Sequence, residues 1–229
     1  MKKVAALFDC DGTLYSAQYV RGLMKYASDR GRKGAVRRYY ASLLPLFVLK
    51  KFKLIDEEQM HRPLSSRMAW MIKGMSEEEF LDLSECMLRE YQLPTERRDV
   101  AARLREHQSR GHVVLLVSGQ LQPSLEIFGK HYNVEGKVGT KIELKNGRYT
   151  GRIIPPVITG ADKDRYAREY FLSKDIDVDW DASYAYADSI TDTGLLNMVG
   201  HPVAVYPDAK LFALAQSQNW ELIGKIKPG

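Results

Sequence analysis

The chain has 229 residues, 45% of them hydrophobic and 28% charged, with a formal net charge of +5. That balance excludes wholesale disorder and suits one domain with an insertion, or two small domains. Two cysteines, Cys10 and Cys86, exclude a disulfide framework and a cysteine-rich metal module, no segment nears the roughly 18 apolar residues of a membrane-crossing helix, and Asp9 and Asp11 interrupt the N-terminal apolar run too early for a signal peptide, so a reducing cytoplasm is the expected compartment.

Val4-Ala5-Ala6-Leu7-Phe8 is an unbroken apolar run, too short for a helix, and reads as a strand buried on both faces, as in a parallel sheet. It ends in two carboxylates, Asp9 and Asp11, followed by Gly12 and Thr13. Ligands of such sheets bind beyond the carboxyl ends of the strands, so both acids are candidates for chemistry. Residues 15–92 then read as helical, with helices over about 17–28, 35–49, 56–73 and 76–90. Gly31 to Gly34 break the first pair, Pro45 is set to kink or divide the second helix, and Ser76 with Glu79 forms a capping box. Ten Lys/Arg against one acid, Asp29, give the stretch from Tyr15 to Ile55 a local charge of +9. Such a block suits an anionic substrate or surface, and equally a solvated helical face. Within it, residues 43–55 could let a basic cap touch a membrane, although buried packing inside the cap is the stronger expectation.

From residue 93 strands and helices alternate. A helix over 96–110 leads to a strand at 113–117 that ends in Ser118-Gly119, then a helix over 123–131 and a short strand at 138–140. A hairpin over 141–154 turns at Asn146-Gly147, a pair suited to a type I′ turn. A helix over 162–172, a strand over 182–187 ending at Asp188, a strand over 201–206 and a helix capped by Asp208 complete the chain. The expected class is α/β: a Rossmann-like parallel sheet core formed by residues 1–14 and 93–229, with a helical cap domain, residues 15–92, inserted after the first strand. Taken singly, Ser-Gly after a strand is an ordinary turn, an isolated lysine is usually solvated, and Asp188 or Asp192 is as readily a helix cap.

Taken in order, however, Phe8-Asp9-Cys10-Asp11-Gly12-Thr13-Leu14, Ser118-Gly119, Lys163 and Asp188-Ser189-Ile190-Thr191-Asp192 resemble the four motifs of the haloacid dehalogenase superfamily. The helical insertion directly after the first motif, Tyr149-Thr150-Gly151, and Pro202 to Asp208 are similar to the phosphoserine-phosphatase-like group. The resemblance implies a Mg²⁺-dependent phosphatase that cleaves a phosphate monoester through an aspartyl-phosphate, a small phosphorylated substrate, and no nucleic-acid partner. It assigns Asp9 as nucleophile, Asp11 as general acid and base, and Lys163 as the cation that neutralises the phosphoryl group. It assigns Mg²⁺ to Asp9, Asp11 (through its backbone carbonyl) and Asp188, with Asp192 in support, and phosphate or substrate binding to Ser118, Gly119, Thr13, Gln18 and Arg67. Gln18 stands where phosphoserine phosphatases carry a glutamate for the substrate ammonium, and Arg62 where they carry an acid before the cap arginine, so phosphoserine is not the expected substrate. A phosphomutase, phosphoserine phosphatase proper and a non-catalytic phosphate-binding module are the alternatives; dehalogenation is disfavoured because those relatives lack an acid at the Asp11 position.

Overall fold

The computed structural model describes residues 2–227. In chain order, β1 (Ala5–Phe8) is followed by α1 (Tyr19–Ala27), α2 (Lys33–Lys51), α3 (Glu57–Arg67) and α4 (Glu77–Met87). Then come α5 (Arg98–Ser109), β2 (Val113–Leu121), α6 (Gln122–His131), β3 (Gly136–Thr140), β4 (Ile142–Lys145) and β5 (Arg148–Ile153). The chain continues with α7 (Lys163–Ser173), β6 (Tyr184–Ala187), α8 (Thr193–Asn197), β7 (His201–Val205), α9 (Ala209–Ser217) and β8 (Glu221–Ile223).

All four residues of β1 are fully buried. Its period-2 geometry sends Ala6 and Phe8 to one face, where Val100, Leu104 and Phe128 of α5 and α6 cover them. Ala5 and Leu7 face the other way, against Ala167, Phe171, Leu196 and Leu211 of α7, α8 and α9. Helices on both faces are the reason no polar residue interrupts this strand. The sheet order is β3-β2-β1-β6-β7-β8, with every pairing parallel. Connections depart to opposite sides of β1, so the crevice where ligands bind in such sheets opens at its carboxyl end. The class is the α/β, Rossmann-like arrangement expected.

The cap helices share a second apolar cluster: Tyr19 and Leu23 of α1, Val36, Tyr39 and Leu43 of α2, and Phe80, Leu83 and Met87 of α4. Leu121, Ile142 and Tyr149 join it from β2 and the β4–β5 hairpin. The hairpin is tied on by backbone bonds, Gly74 N–H to Tyr149 C=O at 2.7 Å and Tyr149 N–H to Met75 C=O at 2.9 Å. Positive φ angles of 50° at Asn146 and 69° at Gly147 fit the expected hairpin turn.

Local differences have identifiable causes. Pro45 lies inside α2 without dividing it. β2 runs four residues beyond Val117, past an irregularity in its pairing with β3, so Ser118 and Gly119 lie within the strand end and not at a helix start. β8 was not anticipated; three residues at a sheet edge carry no legible period. The segment 43–55 departs from the buried packing expected: Leu43 is buried, but Leu44, Phe47, Val48 and Phe52 are exposed. Among the described residues no helix is long and apolar enough to cross a membrane.

Candidate active site

The backbone of β1 runs on to Asp9, whose N–H donates to the Tyr186 carbonyl at 3.0 Å. This aims the Asp9 carboxylate out of the sheet's end, where it is buried. Lys163, at the start of α7, donates to Asp9 Oδ1 at 2.6 Å and forms an ion pair with Asp192 Oδ1 at 2.8 Å. Burial alone would push the lysine's pKa down; the facing Asp192 and Asp9 outweigh it and hold the ammonium charged above the ordinary lysine value. Thr13 Oγ1 lies 3.0 Å from Asp9 Oδ2 and 3.1 Å from Asp188 Oδ1, and its single proton serves one of the two at a time.

Gly12 allows this crowding. Its φ is +84°, and a Cβ there would stand 2.2 Å from Asp188 Oδ2, so only glycine lets the loop pass the carboxylate. Asp188 follows β6, and Asp192 is the last residue of a 3-10 turn capped by Ser189. Burial lifts the Asp192 carboxyl to about 6 against the pull of Lys163.

Asp11 has different surroundings. It accepts from the Tyr19 backbone N–H at 3.0 Å and from Gln120 Nε2 at 2.7 Å. Burial, then the neighbouring Asp9 charge, pushes its carboxyl up to about 7, while both hydrogen bonds pull the other way. A carboxyl near neutrality, two residues from a carboxylate paired with lysine, is suited to proton transfer.

Asp9, Asp188 and Asp192 are buried with ligand oxygens within 4.8 Å of one another. Lys227, from the C-terminal segment, sets its ammonium against Asp188 Oδ2, which marks a demand for positive charge beyond Lys163. An all-oxygen, carboxylate-rich donor set of this kind fits a hard divalent cation such as Mg²⁺.

A cleft of about 410 Å³ opens over these groups. Asp9, Asp11, Lys163, Asp188, Asp192, Ser118, Gly119 and Gln18 all line it, and Thr13 is buried behind Asp9. Arg67 does not line it: its guanidinium donates to the Ser42 carbonyl at 2.6 Å. Arg62 is paired with Asp162 at 2.7 Å. Among the described residues none of the basic side chains between Tyr15 and Ile55 reaches the cleft. The cap's wall is Gln18, Tyr19, Val20, Tyr39, Leu64, Ser65 and Met68, all uncharged. Gln120 and Lys227 line the cleft but were not singled out in the sequence, and Asp208, which also lines it, was read there as a helix cap and not as part of the site. For Gln120 the available signal was its place two residues after Ser118; for Lys227, 64 residues beyond Lys163 in sequence, there was none.

Comparison with known proteins gives the same direction. The family profile for haloacid dehalogenase-like hydrolases matches residues 6–197. A protein of Mycobacterium tuberculosis named phosphoserine phosphatase SerB1 is 29% identical over 224 residues, 95% of this chain and 70% of that protein. A histidinol-phosphatase of Neisseria meningitidis is 25% identical over 237 residues, 96% of this chain and 98% of that one. The crystal structure of a protein of unknown function from Bordetella pertussis superposes with a TM-score of 0.82 at 24% identity, covering 98% of this chain and 99% of that one.

Proposed function

We propose that this chain, which belongs to the haloacid dehalogenase-like hydrolase family through a match over residues 6–197, is a phosphatase that hydrolyses a small phosphate monoester through an aspartyl-phosphate on Asp9. The observation that carries this reading is the unequal pair of acids: Asp9 held 2.6 Å from Lys163 Nζ, and Asp11, two residues on, poised at about 7. It is supported by relatives named as phosphatases, one for phosphoserine and one for histidinol phosphate.

In this reading Asp9 attacks phosphorus as Asp11 gives its proton to the leaving oxygen; Asp11, now a carboxylate, then takes a proton from the water that cleaves the acyl phosphate. Lys163 and the donors at Ser118 and Gly119 stabilise charge on the phosphoryl oxygens. Bound Mg²⁺, held by Asp9, Asp188 and the Asp11 carbonyl with Asp192 in support, would supply the positive charge that lets a carboxylate approach a phosphate dianion. Residues 15–92 act as the cap that chooses the leaving group.

The cap's chemistry redirects the expectation from sequence. The basic block in the cap suited an anionic substrate or surface, and equally a solvated helical face; its lysines and arginines do not line the cleft, where an uncharged wall would meet the substrate. An ammonium set against that wall would be desolvated without a partner, as would a carboxylate, at a cost of several kcal/mol. The favoured leaving group is therefore neutral, with an apolar portion against Tyr39, Leu64 and Met68, and phosphoserine is a poor substrate.

Phosphate release over a panel of amino-acid, sugar, nucleotide and alkyl monoesters, with and without Mg²⁺, tests both parts. Neutral, partly apolar esters should lead, and Asp9→Asn should abolish turnover with an unchanged circular dichroism spectrum. Near wild-type release by Asp9→Asn ends the covalent reading; phosphoserine leading by a wide kcat/KM margin ends the reading of the cap. Transfer of phosphate within the substrate, without release, would indicate a mutase.

A further inference from the structure

The end of α2 and the turn after it present apolar side chains to water in a block. Leu44, Phe47, Val48, Phe52 and Leu54 are 62, 49, 53, 68 and 68% exposed. Seven of the twelve large apolar side chains exposed among the described residues lie between Tyr40 and Leu54, which separates this block from the single exposed apolar residues of any surface. The helix has two distinct apolar stripes. Val36, Tyr39 and Leu43 pack into the cap, while Tyr40, Leu44, Phe47 and Val48 follow one another at helical spacing on the outside. A second function for the outer stripe is needed, because the first already supplies the helix with its core contacts.

Its surroundings are strongly basic. From Arg30 to Ile55 the chain has eight Lys/Arg and no acid. Some of that charge is used within the cap, as Arg30 pairs with Asp82 at 2.7 Å and Arg38 lies over the Trp70 ring. Arg37, Lys51 and Lys53 are exposed beside the apolar block. An isologous contact with a second copy would face this basic block with itself and is electrostatically opposed. An anionic bilayer meets both demands, since Phe and Leu enter the headgroup boundary while Lys and Arg stay among the lipid phosphates.

We infer that the exposed face of α2 and the following turn, centred on Leu44, Phe47 and Phe52 with Lys51 and Lys53 at its rim, docks on an anionic lipid surface. The inference stands on the cap surface alone and not on the catalytic reading. Tyr39 of α2 lines the cleft, so the docking helix is also a wall of the site.

Vesicle sedimentation of the full chain at low and high salt provides the test. Binding is expected to phosphatidylcholine vesicles containing phosphatidylglycerol, with little to phosphatidylcholine alone. The double variant Lys51→Gln/Lys53→Gln should weaken partitioning about thirtyfold at low salt, and Phe47→Ser/Phe52→Ser by at least about tenfold. Both pairs are exposed, so thermal unfolding midpoints should match wild type. No binding to either vesicle overturns the inference, as does equal binding to both. Binding unaffected by the phenylalanine changes would reduce it to charge adsorption and also overturns it. Self-association abolished by the phenylalanine changes, with no vesicle binding, assigns the face to a second copy instead.

Discussion

Asp9 and Asp11 stand two residues apart, yet one faces an ammonium and a hydroxyl while the other accepts from an amide and a backbone N–H. The amide belongs to Gln120, whose donation favours the charged form of Asp11. Gln120→Leu removes that donor without adding charge, so the Asp11 pKa rises and the alkaline limb of kcat/KM for phosphate release moves upward. Turnover should fall about tenfold as the acid is held less firmly; superimposable pH profiles would remove Gln120 from this role. Lys163 carries the opposite dependence. Lys163→Ala leaves Asp192 as a buried carboxylate without its cation and Asp9 with only the Thr13 hydroxyl, a loss of about 3 to 5 kcal/mol at pH 8 in chelator. Burial holds Asp192 at about 6 even with the lysine present. Without it that value rises, so protonation on going to pH 5 removes the unpaired charge and the penalty shrinks. A penalty equal at both pH values in urea unfolding contradicts this pairing. Asp9, Asp188 and Lys163 were legible because each follows a strand or opens a helix in a recognisable order, and Asp11 because it lies two residues after Asp9 in the loop that leaves β1. Gln120 carries no such pattern, and the diversion of Arg67 to Ser42 depends on a tertiary contact that spacing does not encode.

Between elements, the cap and core are joined by a chain of hydroxyls as well as by apolar packing. Ser84 Oγ of α4 donates to the Phe80 carbonyl at 2.8 Å, so it accepts from Ser124 Oγ of α6 at 2.7 Å, and Ser124 in turn accepts from Tyr19 OH of α1 at 2.8 Å. All three side chains are buried. Ser124→Ala leaves the Tyr19 hydroxyl without its acceptor, at about 1 to 3 kcal/mol. Because the Tyr19 backbone N–H also holds Asp11, the same change should lower kcat more than it raises KM. A stability loss below about 0.5 kcal/mol, measured by urea unfolding, would show that the chain is not maintained in solution. Element boundaries were readable where capping chemistry is local. Ser76 and Glu79 form both bonds of the expected capping box, and Asp208 caps α9 by accepting from Leu211 N–H at 2.8 Å. The face assignment of α2 was not readable, because apolar residues run almost continuously from Tyr39 to Val48 and leave no single stripe to identify as buried.

At the scale of the whole molecule, the order β3-β2-β1-β6-β7-β8 makes the strand bearing Asp9 depend on neighbours contributed by distant parts of the chain. The alternation of strand and helix made this parallel sheet legible, but not the polar contacts lying on its buried face. Phe8 stacks on Tyr186 with ring centroids 4.3 Å apart, and the Tyr186 hydroxyl meets His107 Nε2 at 2.8 Å. His107 Nδ1 faces His112 Nδ1, also at 2.8 Å. Burial first, then His112, push the His107 pKa down to about 4; Glu106 opposes them, and Arg110 and Arg103 each add a smaller push downward. In the unfolded chain the imidazole titrates near its ordinary value of about 6.5. Between those values the unfolded state holds a proton that the folded state does not, so stability falls as pH drops from 6.5 towards 4. The full interval corresponds to about 3 kcal/mol. His107→Gln retains a group able to hydrogen-bond Tyr186 but cannot titrate, so its stability should decline less between pH 7.5 and 4.5. Urea unfolding of both proteins at the two pH values isolates this difference from the carboxylates, which titrate alike in each. An equal decline in the two proteins would mean that His107 titrates near its ordinary value in the folded state, so that its burial carries no such penalty.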